Sequence, residues 1–154
     1  MLVNNISQAE IIKSIANHLK SDADLVAMLA ESTPVTNANG TPDKANSIIP
    51  MSKVADETSS RPCPLIGIRA GDLQRAGYHT YDVFVYIRCY NNVDKAYFEI
   101  NEILSFVNKL LDRKFIPIPT VATAEMVLQS MTGEEYDEGF KLNYRECAFR
   151  LQIM

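Results

Sequence analysis

The side chains in this 154-residue chain that could do chemistry are two histidines, three cysteines and a scatter of carboxylates. A nucleophilic site needs a thiol or hydroxyl beside a base, with a third group orienting that base. His79 stands just ahead of a run of alternating apolar residues and could in principle meet Cys63 or Cys89. No third residue is indicated, so no catalytic pair is expected. His18 falls at the edge of a helical stripe and reads as a surface or packing residue. Cys63, Cys89 and Cys147 are odd in number and widely spaced, each in or beside a predicted strand. They read as free, mostly buried thiols in a reducing compartment, not as a disulfide or a metal site. Two lone histidines with scattered cysteines do not make a zinc set. No metal and no cofactor is expected.

The carboxylates divide into two groups. Glu134, Glu135, Asp137 and Glu138 crowd between Gly133 and Gly139. They lack the spacing of a calcium loop and must stay solvated or face a cation. Asp82, Glu125 and Glu146 lie on predicted strands and could converge as an acid/base pair. They alternate with apolar neighbours as an exposed sheet face would, and salt bridges with Arg88, Arg145 or Arg150 are the better account. Gly67 and Gly71 make no phosphate loop, because no Gly-Lys-Ser/Thr follows. Gly67 is expected to mark close packing or a bulge.

The elements that must position these groups centre on residues 78–112. Tyr81, Val83, Val85, Ile87 and Cys89 share one face of a strand, and Thr80, Asp82, Phe84, Tyr86, Arg88 and Tyr90 share the other. Asn91-Asn92 ends it and can cap a helix. Val93, Tyr97, Ile100, Leu104, Val107 and Leu111 then recur at spacings of four and three, and Ala96, Ile103 and Leu110 widen the stripe. Ahead of this lie two helices. Ser7 and Glu10 form a capping box with Ile6 and Ile11 as a hydrophobic staple. Ser21 is expected to cap the second helix, with Leu25, Met28 and Leu29 on its apolar side. Pro64 opens a short strand, Leu65–Arg69, and 70–77 is a hairpin connection or short excursion. Residues 115–119 form a proline-locked connector. Strands at 121–131 and about Asn143–Ile153 close the chain. The expectation is one α+β domain over 1–154. Its four-stranded, mostly antiparallel sheet packs against helices, with one long helix between the second and third strands.

Residues 32–60 carry Ser, Thr, Pro, Asn and Asp without periodicity, long for a compact domain. They read either as a mobile surface loop or as an arm that orders on a partner subunit through Ile48, Ile49 and Met51. The face bearing Phe84, Tyr86, Arg88 and Tyr90 leaves a similar choice. It is covered by the chain's own helices, or it is an interface, whose usual composition it matches. The formal net charge of -4 argues against a general nucleic-acid binder and leaves room for a local basic patch. The first ten residues show no basic region and no long apolar segment, so neither a signal peptide nor a membrane span is expected.

Taken together, the layout resembles the tail terminator or tail completion proteins of long-tailed bacteriophages. The resemblance rests on the helices Ser7–Leu19 and Asp22–Leu29 and on the proline-led strand RPCPLIGIR. It continues through YDVFVYIRCY, DKAYFEINEILSFVNKLL and the last strand with YRECAFRLQI. It covers nearly the whole chain, apart from 32–60 and 133–140. It implies a structural, non-enzymatic virion protein of the tail or neck, assembled in the bacterial host cytoplasm. Such a protein forms a homomeric ring, commonly a hexamer, on the finished tail tube. The ring stops the tube protein from polymerising and joins a head-completion or connector protein. DNA passes its lumen without sequence readout. On that reading Phe84, Tyr86, Arg88 and Tyr90, with Ile48, Ile49 and Met51, are subunit contacts. Glu134, Glu135, Asp137 and Glu138 are placed on a rim or toward the channel, with an electrostatic dock as the competing account. The alternatives are another neck or head-completion protein of the same virion, or a small cytosolic α+β enzyme or ligand-binding domain.

Overall fold

The structure is a computed structural model that describes residues 6–32, 48–53, 65–92, 97–119, 121, 123–138 and 142–154. Cys63, Val93, Ala96, Ala122 and Phe140, and most of the loop expected at 32–60, lie outside the described residues. Helix α1 spans Gln8–Lys20, and its capping box forms. The Ser7 hydroxyl accepts from the Glu10 N–H at 3.1 Å, and the Glu10 carboxylate accepts from the Ser7 N–H at 3.4 Å. Ile6 and Ile11 are both buried in the core. Helix α2 spans Ala23–Ser32. Its cap is Asp22, which accepts from the Leu25 N–H at 2.9 Å. Ser21, expected in that role, instead donates to the His18 carbonyl and closes α1. A carboxylate at a helix N-terminus satisfies an orphan donor and meets the helix dipole, so it outcompetes the hydroxyl.

The expectation of a four-stranded sheet is overturned. The described residues form one eight-stranded sheet in the order β1-β2-β4-β8-β6-β5, with β3 paired to β4 and β7 to β8. The strands are β1 Ile48–Pro50, β2 Leu65–Ala70, β3 Gln74–Gly77, β4 Thr80–Asn92, β5 Lys114–Phe115, β6 Ala124–Met131, β7 Glu135–Asp137 and β8 Leu142–Ile153. The long helix, α3 at Tyr97–Leu111, therefore follows the fourth strand and precedes the fifth. The four long strands, β2, β4, β6 and β8, lie where they were expected, three from period-two alternation and β2 behind Pro64. The other four have two to four residues each. So few residues show no period, and their pairing is decided by tertiary contact. The pairs are antiparallel except β1–β2. Gly67 keeps unbroken register opposite Arg88, so it marks no bulge.

The helices cover one face. Val83, Val85 and Ile87 of β4 meet Cys147, Phe149 and Leu151 of β8 there, and none of these residues is exposed. Ile100, Ile103, Leu104, Val107 and Leu111 of α3 and Ile11, Ile15 and Leu19 of α1 complete that core. His18 is a packing residue, its Nε2 3.0 Å from the Leu110 carbonyl, tying α1 to α3. Past α3, Arg113 takes a left-handed φ of 61°. Its N–H donates to the Met126 carbonyl, and the Asp112 carboxylate accepts from the Leu128 N–H, which fixes the helix end on β6.

Candidate assembly interface

The opposite, outer face of the sheet gathers most of the residues that sequence singled out. Side chains directly opposite in register share a face. Tyr90 and Tyr144, Arg88 and Glu146, Tyr86 and Ala148, and Phe84 and Arg150 therefore stand side by side on β4 and β8. From β2, Arg69 lies opposite Tyr86 and Leu65 opposite Tyr90.

At one end this face is closed. Ile49, Leu65, Tyr90 and Leu142 form a small second core with Tyr144 against it. Arg88 is locked at its border. Its Nε donates to the Glu146 carboxylate at 2.5 Å and its Nη1 to the Tyr90 hydroxyl at 3.4 Å. Its guanidinium sits 4.4 Å over the Tyr144 ring. Burial alone would lower the Arg88 pKa, but the hydrogen bonds to Glu146 and Tyr90 outweigh it and hold the charge in place. Burial pushes the Tyr90 phenol up, and Tyr144 is raised chiefly by donating to Glu135 at 2.6 Å.

The middle of the face is open. Phe84 is 37% exposed, Tyr86 is half-buried, and exposed Arg69 places its guanidinium 4.4 Å over the Tyr86 ring. Arg150 Nε and Asp82 Oδ1 are shielded from solvent with no hydrogen-bond partner among the described residues. Of the two readings of this face, cover by the chain's own helices is not what the described helices provide. They lie on the other side.

The remaining candidates separate. Ile48 and Ile49 are buried inside the chain's own sheet, paired to β2, and Met51 is half-buried in a 3-10 turn, Met51–Lys53. The acidic segment is a strand where a turn was expected. Glu135, Tyr136 and Asp137 of β7 pair with Tyr144, Asn143 and Leu142. Asp82 and Glu125 share a row across β8, two strand spacings or about 10 Å apart, too far for an acid/base pair. Glu146 is spent on Arg88. Arg145 lies on the helix side, donating to Asn101 Oδ1 and to the Thr132 carbonyl. Cys89 and Cys147 are buried, and burial pushes the Cys147 thiol up, which makes it a poor nucleophile. Among the described residues no three metal-ligating side chains cluster, and no helix is long and apolar enough to cross a membrane. A groove of about 760 Å³ beside β5, lined by Phe115, Ile116, Pro117, Ile118, Pro119 and Val121, has no titratable side chain among the described residues on its walls. Arg69 was missed by sequence reasoning. Its place opposite Tyr86 follows from pairing register, which a single strand read alone does not reveal.

No family model matches the chain, and no curated protein does. In fold it is similar to a chain from a solved structure described as the virion of a native gene transfer agent particle. The TM-score is 0.62 at 11% sequence identity, over 97% of this chain and 98% of that one.

Proposed function

We propose that this chain is a structural virion protein forming a closed homomeric ring, a hexamer, at the head-proximal end of a phage tail. The ring stops growth of the tail tube and presents the surface that a head-completion or connector protein joins. DNA passes its lumen without sequence readout, and assembly takes place in the bacterial host cytoplasm. The observation that carries this reading is the likeness in fold, end to end, to a chain of a virion particle. The open face of Phe84, Tyr86, Arg69 and Arg150 supports it, since aromatic residues mixed with arginine are what subunit contacts use. A heterologous contact closes as a ring or runs on as a filament, and only the ring can end a tube.

The test adds the purified chain to polymerising tail-tube protein and images the products. Tubes should end in a ring on one tip, and they should shorten as more chain is added. Tubes of unchanged length with bare ends would overturn the tail role. Rings that ignore the tube but bind a head connector would move the protein to the neck.

A further inference from the structure

Two rows of side chains in this molecule have complementary chemistry and face opposite ways. The first crosses the open part of the outer sheet face. Arg69 and Arg150 flank Tyr86 and Phe84, on β2 and β8 to either side of β4. The two arginines are two strand spacings apart and offset by two residues along the strands, about 12 Å in all. Neither makes an ion pair among the described residues, and the Nε of Arg150 is shielded without a partner. A shielded guanidinium N–H left unpaired is costly, and a carboxylate is the acceptor that suits it best.

The second row is on β7. Side chains alternate along a strand. Glu135 lies opposite Tyr144 and reaches its hydroxyl, so Glu135 and Asp137 belong to the outer side. Tyr136 lies opposite Asn143 and points to the helix side, 50% exposed. Glu134 and Glu138 stand immediately before and after the strand, two residues to either side of Tyr136. The result is an acidic–aromatic–acidic run that spans at most roughly 13 Å. It matches the basic–aromatic–basic row in chemistry and approximate span. Because one row looks out from the sheet face and the other from its back, a single chain cannot bring them together. Two copies in similar orientation can, one behind the other. That is a heterologous contact, the kind that repeats around an axis.

We propose that the acidic strand β7 of one copy lies across the arginine-flanked face of the next, with Tyr136 between Arg69 and Arg150. The proposal rests on the ring reading for the closed shape of the assembly. The contact itself requires only self-association. A position on a rim or toward the channel was expected for these carboxylates because they repel one another when desolvated together. Two facing guanidiniums remove that objection.

The experiment is a charge exchange read by light scattering at low salt. One chain carries Arg69→Glu with Arg150→Glu, and the other carries Glu134→Lys with Glu138→Lys. Circular dichroism checks that each is folded. Each alone should self-associate at least about ten-fold more weakly than the parent chain. An equal mixture should recover assembly, because each reversed strand then meets a reversed face. Parent-like assembly of either chain alone, a mixture no better than its parts, or a parent chain that stays monomeric at every concentration would each overturn the contact. Images separate the two proposals. Closed rings that survive charge reversal would sink the contact and keep the ring. Charge-dependent open filaments would sink the ring and keep the contact.

Discussion

Arg88 shows how a charged side chain is made part of the fold. It is opposite Glu146 in register, hydrogen-bonded to it at 2.5 Å, and stacked on Tyr144. Only 24% and 15% of the two side chains is exposed, so removing one partner strands the other in a poorly solvated place. Arg88→Ala should therefore cost about 2 kcal/mol in a urea titration. Arg88→Leu combined with Glu146→Leu should cost less than Arg88→Ala, since no unpaired charge is left. A larger loss in the double variant would show that the pair is a net stabiliser. The phenols give a pH prediction. Tyr90 and Tyr144 are both raised from an ordinary value of 10.0, so the unfolded chain loses these protons first. Their stability contribution is complete below pH 10 and is lost as pH climbs through the folded values. Cys147, raised from 9.0, starts the same decline earlier. Urea midpoints measured upward from pH 8 should fall beyond about pH 9, and Tyr90→Phe should flatten the part above pH 10. An unchanged slope in that variant would remove Tyr90 from the account.

Element ends are where local chemistry decides most. Ser7→Ala removes a capping box and Asp22→Ala a single cap, each expected to cost about 1 kcal/mol. Ser21→Ala, which only loses a bond to the His18 carbonyl, should cost well under half of that. Thermal and urea melts of the three variants test the assignment. A Ser21 cost equal to that of Asp22 would return the cap to Ser21. The same contrast explains how far the fold could be read in advance. Long elements declare themselves, because thirteen residues of β4 or α1 repeat their period several times. Strands of two or three residues, such as Lys114–Phe115 and Glu135–Asp137, have no period to show and exist through their partners. The split of β4 into a core face and an aromatic face was legible. Glu146 was expected to pair with one of Arg88, Arg145 and Arg150, and it meets Arg88, whereas Arg69 beside Tyr86 was not legible, since register alone brings it there. Glu134–Glu138 read as a crowded turn because glycines flank it. Alternation along a paired strand instead sets Glu135 and Asp137 on one side and Tyr136 on the other, and only the pairing with β8 shows this.

At the scale of the whole molecule, the question is whether folding and assembly are separate events. The core argues that they are. Val83, Val85, Ile87, Phe149, Leu151 and Ile153 are fully buried within one chain, between sheet and helices. No second copy is needed to cover them. Phe84 and Tyr86 lie on the opposite face, and Phe84 is 37% exposed in the single chain. Their burial can add only on association. For a protein that folds first and assembles later, stability at high dilution is set by the core, and any rise with concentration is set by binding. The melting temperature of the parent chain should therefore climb with protein concentration, from a floor that belongs to the monomer. Phe84→Ser with Tyr86→Thr removes exposed and half-buried surface only, so the floor should move by no more than about 2–4 °C. The climb should disappear, because aromatic anchors at the centre of a contact carry a large share of its binding energy. Calorimetry across a hundred-fold dilution series reads both quantities at once. A floor that collapses in the double variant would mean the outer face belongs to the monomer core. A climb that persists would place the subunit contact elsewhere on the molecule.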